Sequence, residues 1–204
     1  MKKFLATVFA LLLSASVVQA EFQPQKGFDG NDGSVKVQLQ KGVDGDDGSK
    51  SAAQQKINAG WERWGQKDFD AALKLFNEAV NLAPDNAETW HGRGTAYIEL
   101  KQYDQAIKDL NKAIALNPNH TTAYSNRGVT YLRSRQYDKA IKDFNKAIEI
   151  NPNYALAYAN RGVAYQILKH YQSALQDFNK ALAIDPNYTW AKNLREACLK
   201  EMNK

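Results

Sequence analysis

The sequence predicts an all-α protein, with four helix-turn-helix repeats stacked into a solenoid and closed by a C-terminal capping helix. Three observations carry that expectation. A 34-residue phrase is written three times without a gap, over 87–120, 121–154 and 155–188. Inside each copy, apolar and small residues recur three to four apart, which lays them along one side of a helix. A proline closes every copy, at Pro118, Pro152 and Pro186, and the residue before a proline avoids helical angles. A period of this size settles architecture before other features are weighed.

The copies agree position by position. An aromatic stands fourth (Trp90, Tyr124, Tyr158), and Arg-Gly follows at seven and eight (Arg93-Gly94, Arg127-Gly128, Arg161-Gly162). Tyr is eleventh and seventeenth, and Ala is twentieth (Ala106, Ala140, Ala174). A divergent copy at 53–86 keeps Gly60, Phe69, Ala72, Phe76, Ala79 and Pro84, but has Lys56 in the fourth place. This phrase resembles the tetratricopeptide repeat family over roughly two thirds of the chain. The resemblance implies a right-handed superhelical solenoid that binds other proteins in a concave groove.

Each copy is expected to fold as two crossing helices. Gly162 and Ala174 are small where the pair should approach most closely, leaving room for neighbouring rings. Asp70, Asp104 and Asp138 are placed at the start of the second helix, where unpaired N–H groups and the positive dipole end favour a carboxylate. Asp109, Asp143 and Asp177 are expected on solvated faces, and the seventh-position Arg near the helix–helix interface. One helix pair cannot bury its apolar face alone, so the units must stack and the last must be covered. The expected cover is 189–204, with Trp190, Leu194, Ala197 and Cys198 on one stripe and Lys192, Arg195, Glu196 and Lys200 on the rest. A partner-binding helix is the competing reading. Cys198 is the only cysteine; it is read as a small apolar member of that stripe, with a reactive or interchain thiol as the alternative.

The first fifty residues are different material. Met1-Lys2-Lys3, an apolar run from Phe4 to Leu13 and small residues up to Ala20 describe a signal peptide over 1–20, cleaved before Glu21. The expected location is therefore periplasmic or secreted, with no stable membrane span after cleavage. Residues 21–50 are rich in Asp-Gly steps and are expected to form a flexible leader. Val35–Leu39 alternates like a strand, and Asp29, Asp32, Asp44, Asp46 and Asp47 could gather calcium, though no EF-hand loop fits.

The formal charge is +5, to which Lys2 and Lys3 contribute two. Basic and acidic residues are interleaved, so nucleic acid is not an expected partner. No catalytic motif, cofactor-binding loop or metal-ligand spacing occurs, and the chain is not expected to be an enzyme. His91, His120 and His170 fall at unrelated repeat positions.

The family resemblance supplies a map of the groove. Asn58, Asn126 and Asn160 occupy its sixth position, with Gly92 in the remaining unit. An amide there is expected to hold a peptide backbone, because it donates and accepts at once; linking neighbouring first helices is the alternative. Trp61 and Trp64 occupy groove positions of the first unit and suggest either an anchor pocket or a covered end. His91 is a further candidate, because it stands where the copies differ. The carboxylate clamp of some relatives is not supported, since its cation positions hold Ile57, Thr122 and Asn126 here. The expected function is a protein-interaction adaptor or assembly scaffold with a protein or peptide partner. The alternatives are a self-associating repeat protein, or a calcium-responsive module built on the leader.

Overall fold

The computed structural model describes residues 47–203. The expectations for the signal peptide, for the leader up to residue 46, for the Val35–Leu39 strand and for calcium at Asp29, Asp32, Asp44 and Asp46 lie outside the described residues. Among the described residues there are nine α-helices and no strand. Four antiparallel pairs follow one another: α1 (Asp47–Gly65) with α2 (Phe69–Leu82), α3 (Ala87–Glu99) with α4 (Tyr103–Leu116), α5 (Thr121–Arg133) with α6 (Tyr137–Ile150), and α7 (Ala155–Ile167) with α8 (Tyr171–Ile184). The closing helix α9 (Thr189–Met202) packs chiefly on α8. The first helix begins at Asp47 rather than at Ala53, so the end of the expected leader is helical. No helix breaker stands between Gly48 and Gly60 to stop it.

The ends of the helices follow from a few residues. Ahead of each proline, Asn117, Asn151 and Asp185 take extended backbone with φ of −132°, −131° and −128°. Their side-chain oxygens then accept from the N–H two residues on, at 3.0, 3.0 and 2.9 Å, as Asx turns do. The turn inside each unit passes through Lys67, Lys101, Arg135 and Lys169, with φ of 65°, 59°, 61° and 63°. The N–H of Gln102, Gln136 and His170 donates five residues back to the carbonyls of Tyr97, Tyr131 and Tyr165 at 2.9, 2.8 and 2.8 Å. That bond closes the first helix and accompanies the left-handed residue.

The expected caps need one correction. Asp70, Asp104 and Asp138 lie inside the first turn of α2, α4 and α6, because those helices already start at the preceding aromatic. Asp68 is the side-chain cap of α2, accepting from the N–H of Ala71 at 3.2 Å. Asp70, Asp104 and Asp138 act on the helix dipole from the first turn.

The crossing of each pair rests on a ring against a glycine. Phe76, Phe144 and Phe178 are fully buried. A Cβ placed at Gly60, Gly128 or Gly162 would stand 2.7, 2.7 or 2.6 Å from Cε1 of the ring in its own unit. In the second unit Leu110 replaces the ring and Gly94 is less crowded, at 3.0 Å. Phe76 instead reaches across to the next unit, where a Cβ at Gly92 would be 2.4 Å from it.

The repeated arginine joins three helices. Arg93, Arg127 and Arg161 each grip both oxygens of an Asp on the second helix of their own unit, Asp109, Asp143 and Asp177, at 2.6–2.9 Å. Their remaining Nη1 donates back to Asn77, Asn111 and Asn145 of the unit before, at 3.1, 2.6 and 2.6 Å. The fourth-position aromatic lies under each guanidinium, with Trp90, Tyr124 and Tyr158 centred 4.8, 5.4 and 5.5 Å from it. Asp109, Asp143 and Asp177, expected on solvated faces, are therefore buried. The partner sixteen residues upstream of each carboxylate comes only with the packing of the pair. Capping helix α9 keeps half of the device, with Arg195 donating to Asn179 at 3.3 Å. Of its expected stripe, Leu194 and Cys198 are buried and Trp190 and Ala197 partly so, and Ala191 is buried beside them. Burial, and then the nearby Glu201, push the Cys198 thiol up to about 11, which makes it inert near neutral pH.

Four substitutions test these contacts by urea unfolding. Gly128→Ala is expected to cost about 1–3 kcal/mol through overpacking against Phe144. Gly65→Ala, where a Cβ meets nothing within 4 Å, should hold stability or raise it by up to about 1 kcal/mol. Asp143→Ala leaves Arg127 without its carboxylate and is expected to lose about 2–3 kcal/mol, against about 1 kcal/mol for Asn111→Ala on the exposed arm.

Candidate binding pocket and its polar edge

The first helices of successive units lie side by side, and at the N-terminal end they enclose a pocket of about 600 Å³. Asn58, Trp61, Glu62, Trp64 and Gly65 of α1 line one wall, and Glu88 and His91 of α3 the other. The two tryptophans have different roles. Trp64 is only 4% exposed and sits in the first-unit core with Ala72, Phe76 and Ala96. Trp61 is half-buried, its ring 5.1 Å from Phe76, 6.0 Å from Trp64 and 5.5 Å from His91, centre to centre. The pocket therefore has an aromatic floor and a polar far side.

That far side is a cluster the repeat register did not suggest. His91 is held in α3, and His120 stands just before α5 as its N-terminal flanking residue. Their ring centres are 4.7 Å apart. Glu88 lies between them, with Oε2 3.2 Å from His91 Nδ1 and Oε1 3.3 Å from His120 Nε2. Both imidazoles are buried and the carboxylate is half-exposed. A hydrogen bond from His91 holds the Glu88 carboxyl below its ordinary range, against the cost of burial. Burial, reinforced by His91, pushes His120 down to about 4, so its imidazole is neutral near pH 7.

The asparagines divide. Asn126 is buried, and its Nδ2 meets His91 Nε2 at 3.1 Å and donates to Thr95 Oγ1 at 3.0 Å. It thus links α5 to α3, which is the alternative the sequence left open for this position. Asn58 is exposed on the pocket rim, accepting from Gln54 at 2.9 Å. Asn160 is buried on α7 and does not line the pocket. Gly92 offers no amide, because Phe76 fills the space beside it. The structure thus brings Asn58, Trp61, Trp64 and His91 to one cavity, places Asn126 behind His91, and leaves Asn160 apart.

Glu88 and His120 were not singled out from sequence. A signal was present: they are the second and last positions of the unit whose fifth is His91. The last residue of one unit leads into a helix that packs beside that unit's first, so these three positions converge.

Two family profiles described as tetratricopeptide repeat match the chain, one at residues 87–120, 121–154 and 155–188 and the other at 56–86. Among proteins with curated descriptions, none matches. The solved structure of YrrB, described as a TPR protein with an unusual peptide-binding site, is 27% identical with a TM-score of 0.61, covering 74% of this chain and 76% of its own. The first TPR of Spaghetti (RPAP3), bound to the HSP90 peptide SRMEEVD, is 27% identical with a TM-score of 0.57 over 58% of this chain and 94% of its own. Pseudomonas aeruginosa pilF shares the fold at 17% identity, with a TM-score of 0.71 over 76% of this chain and 71% of its own. With its helix pairs, glycine crossings and matched repeats taken together, the chain belongs to the tetratricopeptide repeat family.

Proposed function

We propose that the chain is an exported adaptor or assembly scaffold that takes a peptide or helix of a partner protein along its first helices, anchored at Trp61. The observation that carries this reading is the pocket of about 600 Å³ between α1 and α3. A half-buried indole over an aromatic floor gives apolar contact, and Asn58, Glu62 and Glu88 around it give the polar rim that fixes orientation. Peptide binding by YrrB and by the RPAP3 repeat domain supports the class of partner. Ile57, Trp61, Thr122 and Asn126 stand where the family's carboxylate clamp has its cations and amide. The reading is therefore an internal segment held by an anchor side chain, rather than a C-terminal carboxylate.

Export rests on the charged start, the apolar run and the small residues before Glu21. Expressed in a bacterium with an envelope, the chain is expected in the extracytoplasmic fraction with Glu21 as the first residue by intact-mass measurement. Recovery of the uncleaved chain from the cytoplasm refutes that part.

Selection of displayed peptides against the chain tests the rest. Enriched peptides are expected to shift tryptophan fluorescence, and Trp61→Ala should weaken them about tenfold or more, as an interface anchor does. Glu196→Ala on the closing helix should leave affinity unchanged. Affinity indifferent to Trp61→Ala removes the pocket as the binding site.

A further inference from the structure

We infer that Glu88, His91 and His120 form a binding site for one divalent transition-metal ion of the zinc type, at the edge of the pocket. Each offers one ligand atom, and these atoms all lie within 4.8 Å of one another. Two imidazoles and a carboxylate are a ligand set that suits zinc and its neighbours, and a set that calcium and magnesium do not choose.

The spacing fits a tetrahedral ion. Metal–ligand bonds of about 2.0–2.1 Å put ligand atoms roughly 3.3 Å apart along a tetrahedron's edges. Glu88 Oε2 stands 3.2 Å from His91 Nδ1, and its other oxygen, Oε1, 3.3 Å from His120 Nε2, so a turn of the carboxylate brings one oxygen to both edges. The edge between the two histidines is at most 4.8 Å, so its closure asks for about 1.5 Å or less. That closure falls to the two imidazoles, while the half-exposed Glu88 carboxylate can turn to follow them.

An independent observation points to the same place. His120 is 6% exposed, and its Nε2 is buried without a hydrogen bond although it faces the Glu88 carboxylate. At the other side of the ring, Nδ1 lies 3.2 Å from Thr122 Oγ1. In the tautomer whose Nδ1–H donates to that hydroxyl, Nε2 presents a lone pair toward a carboxylate oxygen. Two electron-rich atoms held at that distance in a buried site are costly, and a cation between them satisfies both.

The surroundings supply the second contact that metal-bound histidines need. Thr122 orients His120, and Asn126 stands against His91 Nε2. Binding at His91 Nδ1 moves that ring's proton to Nε2, where it is donated to the Asn126 side-chain oxygen after the amide turns over. The Asn oxygen and nitrogen exchange places in that turn, and the Thr95 hydroxyl, which now donates to the His91 carbonyl, turns to donate to the Asn126 oxygen instead. Three protein ligands leave the fourth position open toward the pocket. Only the second unit carries this set: the same three positions hold Gln54, Ile57 and Asn86 in the first unit, Thr122, Ser125 and Tyr154 in the third, and Leu156, Ala159 and Tyr188 in the fourth.

Titration of the chain with Zn²⁺ against a chromophoric chelator tests the site, with Co²⁺ absorption as the report of geometry. One equivalent is expected to bind with a rise in melting temperature, and Co²⁺ should give the intense visible bands of a tetrahedral site. Glu88→Gln, a half-exposed change that leaves the core untouched, and His120→Gln should each abolish the bands and weaken Zn²⁺ by more than about a hundredfold. Asn126→Ala should weaken it by about 10–100-fold, the range for a supporting contact. His170→Gln should change nothing, and Ca²⁺ should not compete. Zn²⁺ binding that survives Glu88→Gln and His120→Gln, or that is absent from the wild type, overturns the inference. Because the metal alone is the probe, the result is independent of whether a peptide occupies the pocket.

Discussion

Everything in this fold hangs on how closely two helices can come where a buried ring meets a glycine. Phe144 and Phe178 press against Gly128 and Gly162 at distances that leave no room for a methyl group. A fully buried ring contributes roughly 1.5–3 kcal/mol, and the contact fixes the crossing point of each pair. Once that point is fixed, the guanidinium one residue earlier has a single place to go. It reaches the carboxylate on the second helix and the amide on the helix before. An ion pair of this kind is weak evidence for net stability, since desolvation offsets much of the attraction. Its value is geometric, because a bidentate fork and a third bond set the angle between one unit and the last.

The repeat period, the helix pairs, the closing helix and the small residues at the crossings were legible in the sequence, since each depends on spacing along one helix. Contacts between helices were less so. Asp109, Asp143 and Asp177 read as surface charges because their only visible neighbours were along the same helix. The left-handed turn residues were equally hidden, since Lys67, Lys101, Arg135 and Lys169 carry side chains where glycine is the usual signal. There the carbonyl five residues back, and not the residue type, decides the conformation.

The candidate site shows the same limit more sharply. Trp61 and Trp64 looked equivalent, two groove positions one helical turn apart. The structure separates them, because Trp64 is drawn into the core against Phe69 while Trp61 is left at the pocket. Asn58, Asn126 and Asn160 likewise share one register position and three different environments. A register fixes the face of a helix; the neighbours across that face decide whether an amide is exposed, bonded to the next helix or enclosed.

The departures from the repeat are concentrated where the first two units meet, and one change leads to the others. The second unit has Leu110 in place of a phenylalanine, and Gly92 where other units have an asparagine. Phe76 uses the vacated space, packing on Gly60 in its own unit and on Gly92 in the next. That draws the ring beneath Trp61 and brings the indole beside His91. His91 sits on the helix that lacks an amide at its sixth position, and Asn126 from the third unit meets its ring instead. A solenoid of identical units would repeat its surface along the whole groove. Here the break in packing makes one junction unlike the rest, and that junction holds both the pocket and the only histidine–carboxylate cluster among the described residues.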